Sequence, residues 1–366
     1  MIERNYGIDL LKIVLAFMVI ILHIYANGTG QVLMHSTTQP FKAISIIVTY
    51  LCYPAVNTYI LITGYFLYSA KKKLPNIIKS LTILWLSAVF FSLIGYFAAV
   101  IFGNNFDLCN FIKHFFPITR GVWWFYTVYF ALLLFSPFIN KLIDTLTPQE
   151  LKILLFIQLL VFSILPIFVD WKDQIGSNYG YSLIWFIALY TVGAFIYRIK
   201  LIQNNSRKMF TSMMVLYAAC TLSLYLLPKI FSFVGICVNF AMYNSLIVLV
   251  QAIALFIGFS NVKIPNIFLP WISFFSGCAL ASYLLHCQED IELLLWNKIH
   301  PSTYANSLNI LFIIIFICFG VFSVSIILEF TRKKIFGLLK IDKFFIFVFS
   351  KIFTKVEKLI AGKEVL

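Results

Sequence analysis

Residues 7–27 read GIDLLKIVLAFMVIILHIYAN, and the interpretation of this stretch decides the fold. At 1.5 Å per residue it is long enough for a helix to cross the roughly 30 Å hydrocarbon core of a bilayer. It nevertheless carries Asp9, Lys12 and His23. Lys12 and His23 are eleven positions apart, close to three helical turns, so both fall on one face about 16 Å apart along the axis. Asp9 lies on the same stripe. Membrane helices keep ionisable groups where they face a bundle interior or a polar passage, so this face is expected to turn inward and to do chemistry.

The rest of the chain has the same apolar character. Hydrophobic residues make up 61% of 366 positions and charged residues 11%, far below the quarter or so of soluble domains. Ten stretches have the length and apolarity of spans: 7–27, 43–68, 77–102, 122–143, 151–169, 181–199, 209–228, 238–259, 268–287 and 307–330. The expected fold is an all-α integral membrane protein, a bundle of about ten transmembrane helices with both termini cytoplasmic. Charge placement supports that count independently, because short cytoplasmic loops collect Lys and Arg. With the N-terminus inside, inner segments hold 21 of the 28 basic residues. Outer segments hold six: Lys42, Lys113, Arg120, Lys172, Lys229 and Lys298. The net charge of +14 then describes a positive inner face toward anionic lipid or anionic substrate, with no nucleic-acid partner. The location this implies is multi-pass in the cell (plasma or inner) membrane. The first stretch is too long for a signal-peptide h-region, so it is expected to stay as a span. Seven cysteines are scattered mostly within spans, without metal or disulfide spacing, and read as small apolar filler.

No loop exceeds about 20 residues, which leaves the chemistry to the helix bundle. Two parts are expected: a transmembrane domain over 1–331 and a basic amphipathic cytoplasmic tail over 332–366, lying on the membrane interface and held by apolar burial and anionic lipid. No internal repeat suggests a solenoid or an inverted-repeat transporter.

Four segments carry a resemblance. Arg4, Gly7, Asp9, Lys12 and His23 form R-x-x-G-I-D-L-L-K-x10-H, which resembles the first helix of the acyltransferase-3 family of multi-pass membrane O-acyltransferases. TGYFL at Thr63–Leu67 is similar to the end of that family's second helix. WWFYTVYFALLLFSPF at Trp123–Phe138 resembles its fourth-helix W-F motif, and SYLLHCQ at Ser282–Gln288 its late Y-L-x-H motif. The chain departs from many members in having Lys12 where they have Arg, which gives up a bidentate phosphate clamp. The appended extracytoplasmic hydrolase-like domain of some members is not expected here, so transfer is expected to finish within the bundle or on a partner. The resemblance implies an O-acyltransferase, typically an O-acetyltransferase. The donor it implies is acyl-CoA (acetyl-CoA), and the acceptor a cell-surface polysaccharide, its lipid-linked precursor or another envelope glycan. A homo-oligomer is compatible with it.

The residues point the same way. Acyl transfer to a hydroxyl needs a base of near-neutral pKa, and imidazole fits that task best, which singles out His23. Direct activation of the acceptor and an acyl-histidine intermediate both stay open. Lys12 has two uses, binding a donor phosphate or pairing with Asp9 three residues earlier. Lys71, Lys72 and Lys73 are candidate CoA contacts, although a triple-lysine inner loop is also what membrane topology alone demands. His286, at the end of the ninth stretch, is a candidate for the acceptor pocket. Trp123, Trp124 and Tyr126 are candidates for stacking on a sugar ring, although aromatic belts at the interface are common, and Arg120 for an anionic glycan or lipid diphosphate. His35, His114 and His300 are loop residues without ligand spacing, so no metal is expected. The runner-up function is a multi-span transporter or exporter of a lipid-linked glycan or small polar solute, for which interruptions at Pro54, Pro137 and Pro166 are the only sign. A membrane scaffold or sensor is a third reading, in which the Lys12–His23 stripe would do no chemistry.

Overall fold

The computed structural model describes residues 4–25, 30–167, 175–202, 206–235, 238 and 240–360. Lys172 and the last six residues of the basic tail lie outside these. The described residues are helical without strands. In chain order the helices are α1 (Tyr6–Tyr25), α2 (Val32–His35), α3 (Phe41–Cys52), α4 (Ala55–Ala70), α5 (Leu74–Ile101), α6 (Leu108–Lys113), α7 (Trp124–Thr145) and α8 (Pro148–Leu159). They continue as α9 (Leu183–Arg198), α10 (Arg207–Phe233), α11 (Leu246–Ser260), α12 (Leu269–Ser276), α13 (Ala279–His286), α14 (Glu289–Ile299), α15 (Asn309–Leu338) and α16 (Ile341–Ile360).

Each of the ten apolar stretches contains helix, although in 238–259 the helix begins only at Leu246. By length and composition, eight segments among the described residues can cross a membrane, while Leu183–Arg198 and Leu246–Ser260 are shorter apolar helices. The shorter two are among the most enclosed. Trp185, Phe186, Leu189 and Tyr190 of α9, and Leu249, Ala252, Leu255 and Phe256 of α11, belong to the main core. Apolarity there serves helix packing as much as lipid, which is why a hydropathy count overstates their length.

α1 occupies the middle of the bundle, packed against α3, α4, α11, α12, α13 and α15. Its Ile8, Leu11, Leu15 and Leu22 join one core with Ile60 and Leu61 of α4, Leu189 of α9, Leu255 of α11 and Leu284 of α13. Small residues allow the closest approach elsewhere. A Cβ at Gly64 of α4 would overlap the Tyr190 carbonyl of α9, and one at Gly193 of α9 would overlap the Leu61 carbonyl of α4. The two backbones therefore touch reciprocally, in the manner of membrane helices whose association rests on close packing.

The boundary expected at residue 331 falls inside a helix, because α15 runs on to Leu338. Arg332 donates from Nε and Nη2 to both Glu329 carboxylate oxygens at 2.8 Å, and both side chains are buried. Opposite charges one turn apart pair on the helix face, so neither charge is buried alone. α16 follows and lays Phe345 and Phe349 on the Trp85 ring of α5, with centroids 5.5 Å apart in each case.

Candidate functional site

Asp9, Lys12 and His23 of α1 each have a partner. Arg4 Nε donates to Asp9 Oδ2 at 2.7 Å, and Lys12 Nζ donates to Asp9 Oδ1 at 3.1 Å. Asp9 is 5% exposed, so a buried carboxylate is held between two cations, the arrangement that makes its charge tolerable. Farther along the same stripe, Ala16, Val19 and His23 form one wall of a cavity completed by Val56 and Tyr59 of α4, Trp124 and Phe125 of α7, and Ser282 and Tyr283 of α13. The lining is mainly apolar, and about 30 Å³ of the interior admits the centre of a water molecule, enough for one or two waters. Tyr59, which lines the slot, donates its hydroxyl to the Lys12 carbonyl at 2.8 Å. Lys12 thus sits just beyond the N-terminal end of the slot, and His23 lies along it, as the shared helical face requires.

Hydrogen bonding fixes the imidazoles. His23 Nδ1 lies 2.9 Å from the Val19 carbonyl one turn earlier; a carbonyl only accepts, so Nδ1 carries the proton and Nε2 the lone pair. His286 is likewise bonded through Nδ1 to the Ser282 carbonyl, which leaves its own Nε2 as an acceptor. That atom stands 3.3 Å from His23 Nδ1, so the two rings share one proton-donating N–H. His286 is 1% exposed and meets His23 edge-on at 4.9 Å between centroids.

The next residue joins them. Cys287 Sγ is 3.4 Å from His23 Nε2, a place that reading cysteines as filler did not foresee. The turn carrying it is held by Gln288, whose Oε1 accepts from the Asp290 and Ile291 amides at 2.9 Å each and whose Nε2 donates to Asp290 Oδ2 at 2.9 Å. Gln288 lies where a Cβ on Gly95 of α5 would stand; glycine at that point admits the cap.

The other sequence candidates are distributed as follows. Trp123 and Tyr126 are 1% exposed and lie outside the slot lining, while Trp124 and Phe125, between them, line it. Tyr126 donates its hydroxyl to the Leu84 carbonyl of α5 at 2.9 Å. The helical register decides this: Trp123 is the N-cap of α7, so neighbouring aromatics point to different sides. Arg120 pairs with Glu289 at 2.7 Å, which ties the loop before α7 to the start of α14. Lys71 pairs with Asp144 at 3.2 Å. Lys72 is exposed, and Lys73, also exposed, is the N-cap of α5.

A second basic recess lies where α4 and α9 end, lined by Tyr65, Tyr68, Lys71, Tyr197, Arg198 and Lys200. A third joins Arg4, Asn5 and Tyr6 to Lys263 and Asn266. Neither is visible from the spacing of Lys71–Lys73 alone. Among the described residues, two trios have possible metal-ligand atoms within 4.8 Å of one another: His23, His286 and Cys287, and His114, Glu289 and Asp290. Sequence spacing cannot reveal either, since their members come from opposite ends of the chain or from separate loops. Burial of His114, which lies outside the spans, lowers its pKa, and Asp290 opposes that effect.

A family model described as an acyltransferase domain matches residues 5–330. No curated protein and no solved structure matches the chain.

Proposed function

The chain belongs to the acyltransferase-3 family, and from that premise we propose that it transfers an acyl group, acetyl before others, from cytosolic acyl-CoA to a hydroxyl of a cell-surface polysaccharide or its lipid-linked precursor. One observation carries this reading: His23, whose Nδ1 is bonded to the Val19 carbonyl, lines a mainly apolar slot on the same helical face as a cluster of cations. His23 accepts the proton as the acceptor hydroxyl attacks the acyl carbonyl, and returns it to the departing thiol. A slot with room for one or two waters suppresses the competing hydrolysis. Arg4, Lys12 and the basic recess beside Lys71 suit the anionic end of CoA, whose phosphates need cations at the cytosolic face. In this scheme the pantetheine arm threads toward His23 and the acyl group meets an acceptor arriving from the other side. Trp124 supplies the aromatic wall for a sugar ring.

Mass spectrometry of envelope glycans from cells with and without the gene tests the assignment. A mass difference equal to one acyl group per modified unit is expected; identical glycans, together with no turnover of acyl-CoA by purified protein, would leave transport as the better reading. Lys12→Ala is expected to raise the KM for acyl-CoA about tenfold, the loss of one charge-assisted contact, with the acceptor KM unchanged. Asp9 keeps Arg4 in that variant, so the helix stays intact. A selective change in acceptor preference would contradict the donor role.

A further inference from the structure

We infer that Cys287 is a nucleophile that receives the acyl group as a thioester before it passes to the acceptor, an inference that rests on the acyltransferase reading above. Three independent geometric facts converge on it. Cys287 Sγ lies beside the His23 ring, 3.4 Å from Nε2 and 3.8 Å from Nδ1, within reach of the nitrogen that holds the lone pair once the ring or the thiol rotates. His23 is oriented by a third group, His286 Nε2 at 3.3 Å from its Nδ1, and His286 is itself fixed by the Ser282 carbonyl. The thiol is held in place by the Gln288 cap of α14 set against Gly95. A nucleophile within hydrogen-bond reach of a base that a further residue orients is the general arrangement for covalent catalysis.

The chemistry balances without any additional reagent. In the first half, His23 Nε2 takes the Cys287 proton as Sγ attacks the thioester carbonyl of acyl-CoA. The bond from the acyl carbon to the CoA sulfur then breaks, and the leaving thiol takes the proton back from His23. One thioester replaces another, so little free energy changes. In the second half, His23 takes the acceptor hydroxyl proton while that oxygen attacks the acyl carbon. The bond to Sγ breaks and Cys287 is reprotonated. A neutral thiol is a weak nucleophile and a thiolate a strong one, so the step depends on His23. His286 is a positioning residue in both halves. Because the acyl group waits on Cys287, donor and acceptor need not occupy a slot this narrow together, and CoA can leave before the glycan arrives.

The test uses the full-length protein in detergent with radiolabelled acetyl-CoA and no acceptor, alongside envelope-glycan acylation in cells carrying each variant. Wild type is expected to acquire close to one label per chain, released by neutral hydroxylamine and mapped to the peptide containing Cys287. Cys287→Ala should lose both the label and at least about 10²-fold of turnover, while remaining monodisperse. Cys287→Ser should keep the packing but yield a label that neutral hydroxylamine does not release, a difference that a structural role would not produce. Two-substrate kinetics should give parallel double-reciprocal lines. Wild-type glycan acylation in Cys287→Ala cells, or label that persists at His23, would overturn the inference and leave the acyltransferase assignment standing. Stoichiometric zinc that disappears with Cys287→Ala would overturn it too, since a metal-bound thiolate is not free to attack. Absence of glycan acylation by the wild type itself would strike the parent reading instead.

Discussion

His23→Ala is expected to reduce acyl transfer by about 10²–10⁴-fold, the span that a positioned general base supplies, with the protein still inserted and extractable in normal amounts. Stability should change little because the imidazole makes few bonds: one to the Val19 carbonyl a turn away and one across to His286 on α13. The neighbouring core residues Val19 and Leu22 keep their packing. His23→Gln is the informative companion. Its amide nitrogen can donate to Val19, but the side chain cannot carry a proton, so it should be as inactive as alanine. Turnover by purified variants, set against thermal midpoint in the same detergent, separates loss of chemistry from loss of fold. Wild-type turnover in His23→Ala would remove the imidazole from the mechanism.

Gly193→Val is expected to have the largest structural effect. A branched side chain there must occupy the space of the Leu61 carbonyl on α4, and backbone cannot step aside as a flexible side chain would. Overpacking of this kind costs about 3 kcal/mol or more, a large share of the roughly 5–15 kcal/mol by which folded proteins are stable. The expected outcome is a collapse in monodisperse yield after extraction and a thermal midpoint lowered by several degrees. Gly337→Ala, where a Cβ would meet nothing within 4 Å, is the matched control; in a helix it should be neutral or slightly stabilising. Equal behaviour of the two variants would show that α4 and α9 separate more easily than their geometry implies.

The bundle was largely legible because membrane helices announce themselves by length and apolarity. All ten stretches contain helix, eight of them within segments long enough to cross a membrane among the described residues, and the Lys12–His23 stripe kept its register, because eleven residues make nearly whole turns. Enclosure by other helices was not legible from hydropathy, hence the two short members α9 and α11. Helix α15 runs through residue 331 to Leu338, and Glu329, three residues back, pairs with the Arg332 charge that reads as the end of a span. Side-chain direction at a helix start was equally hidden. Trp123, Trp124 and Tyr126 stood out by type, yet of these only Trp124 lines the slot, beside Phe125. The proximity of Cys287 to His23 had no sequence signal, since periodicity relates neighbours within a helix and says nothing about which helix lies across from it. The late Tyr-Leu-x-His motif did locate the turn, and the thiol is the residue after that histidine.

His23 and His286 are 263 positions apart, one on the first span and the other near the end of the ninth apolar stretch. During synthesis the opening helix must therefore wait in the bilayer, its imidazole facing no counterpart, until nearly all of the chain has left the ribosome. On the proposed mechanism, a chain halted before α13 should be inert however well its early spans have inserted, and so should not consume thioester donor. Two fragments divided between α9 and α10, co-expressed, should recover turnover only when both are present.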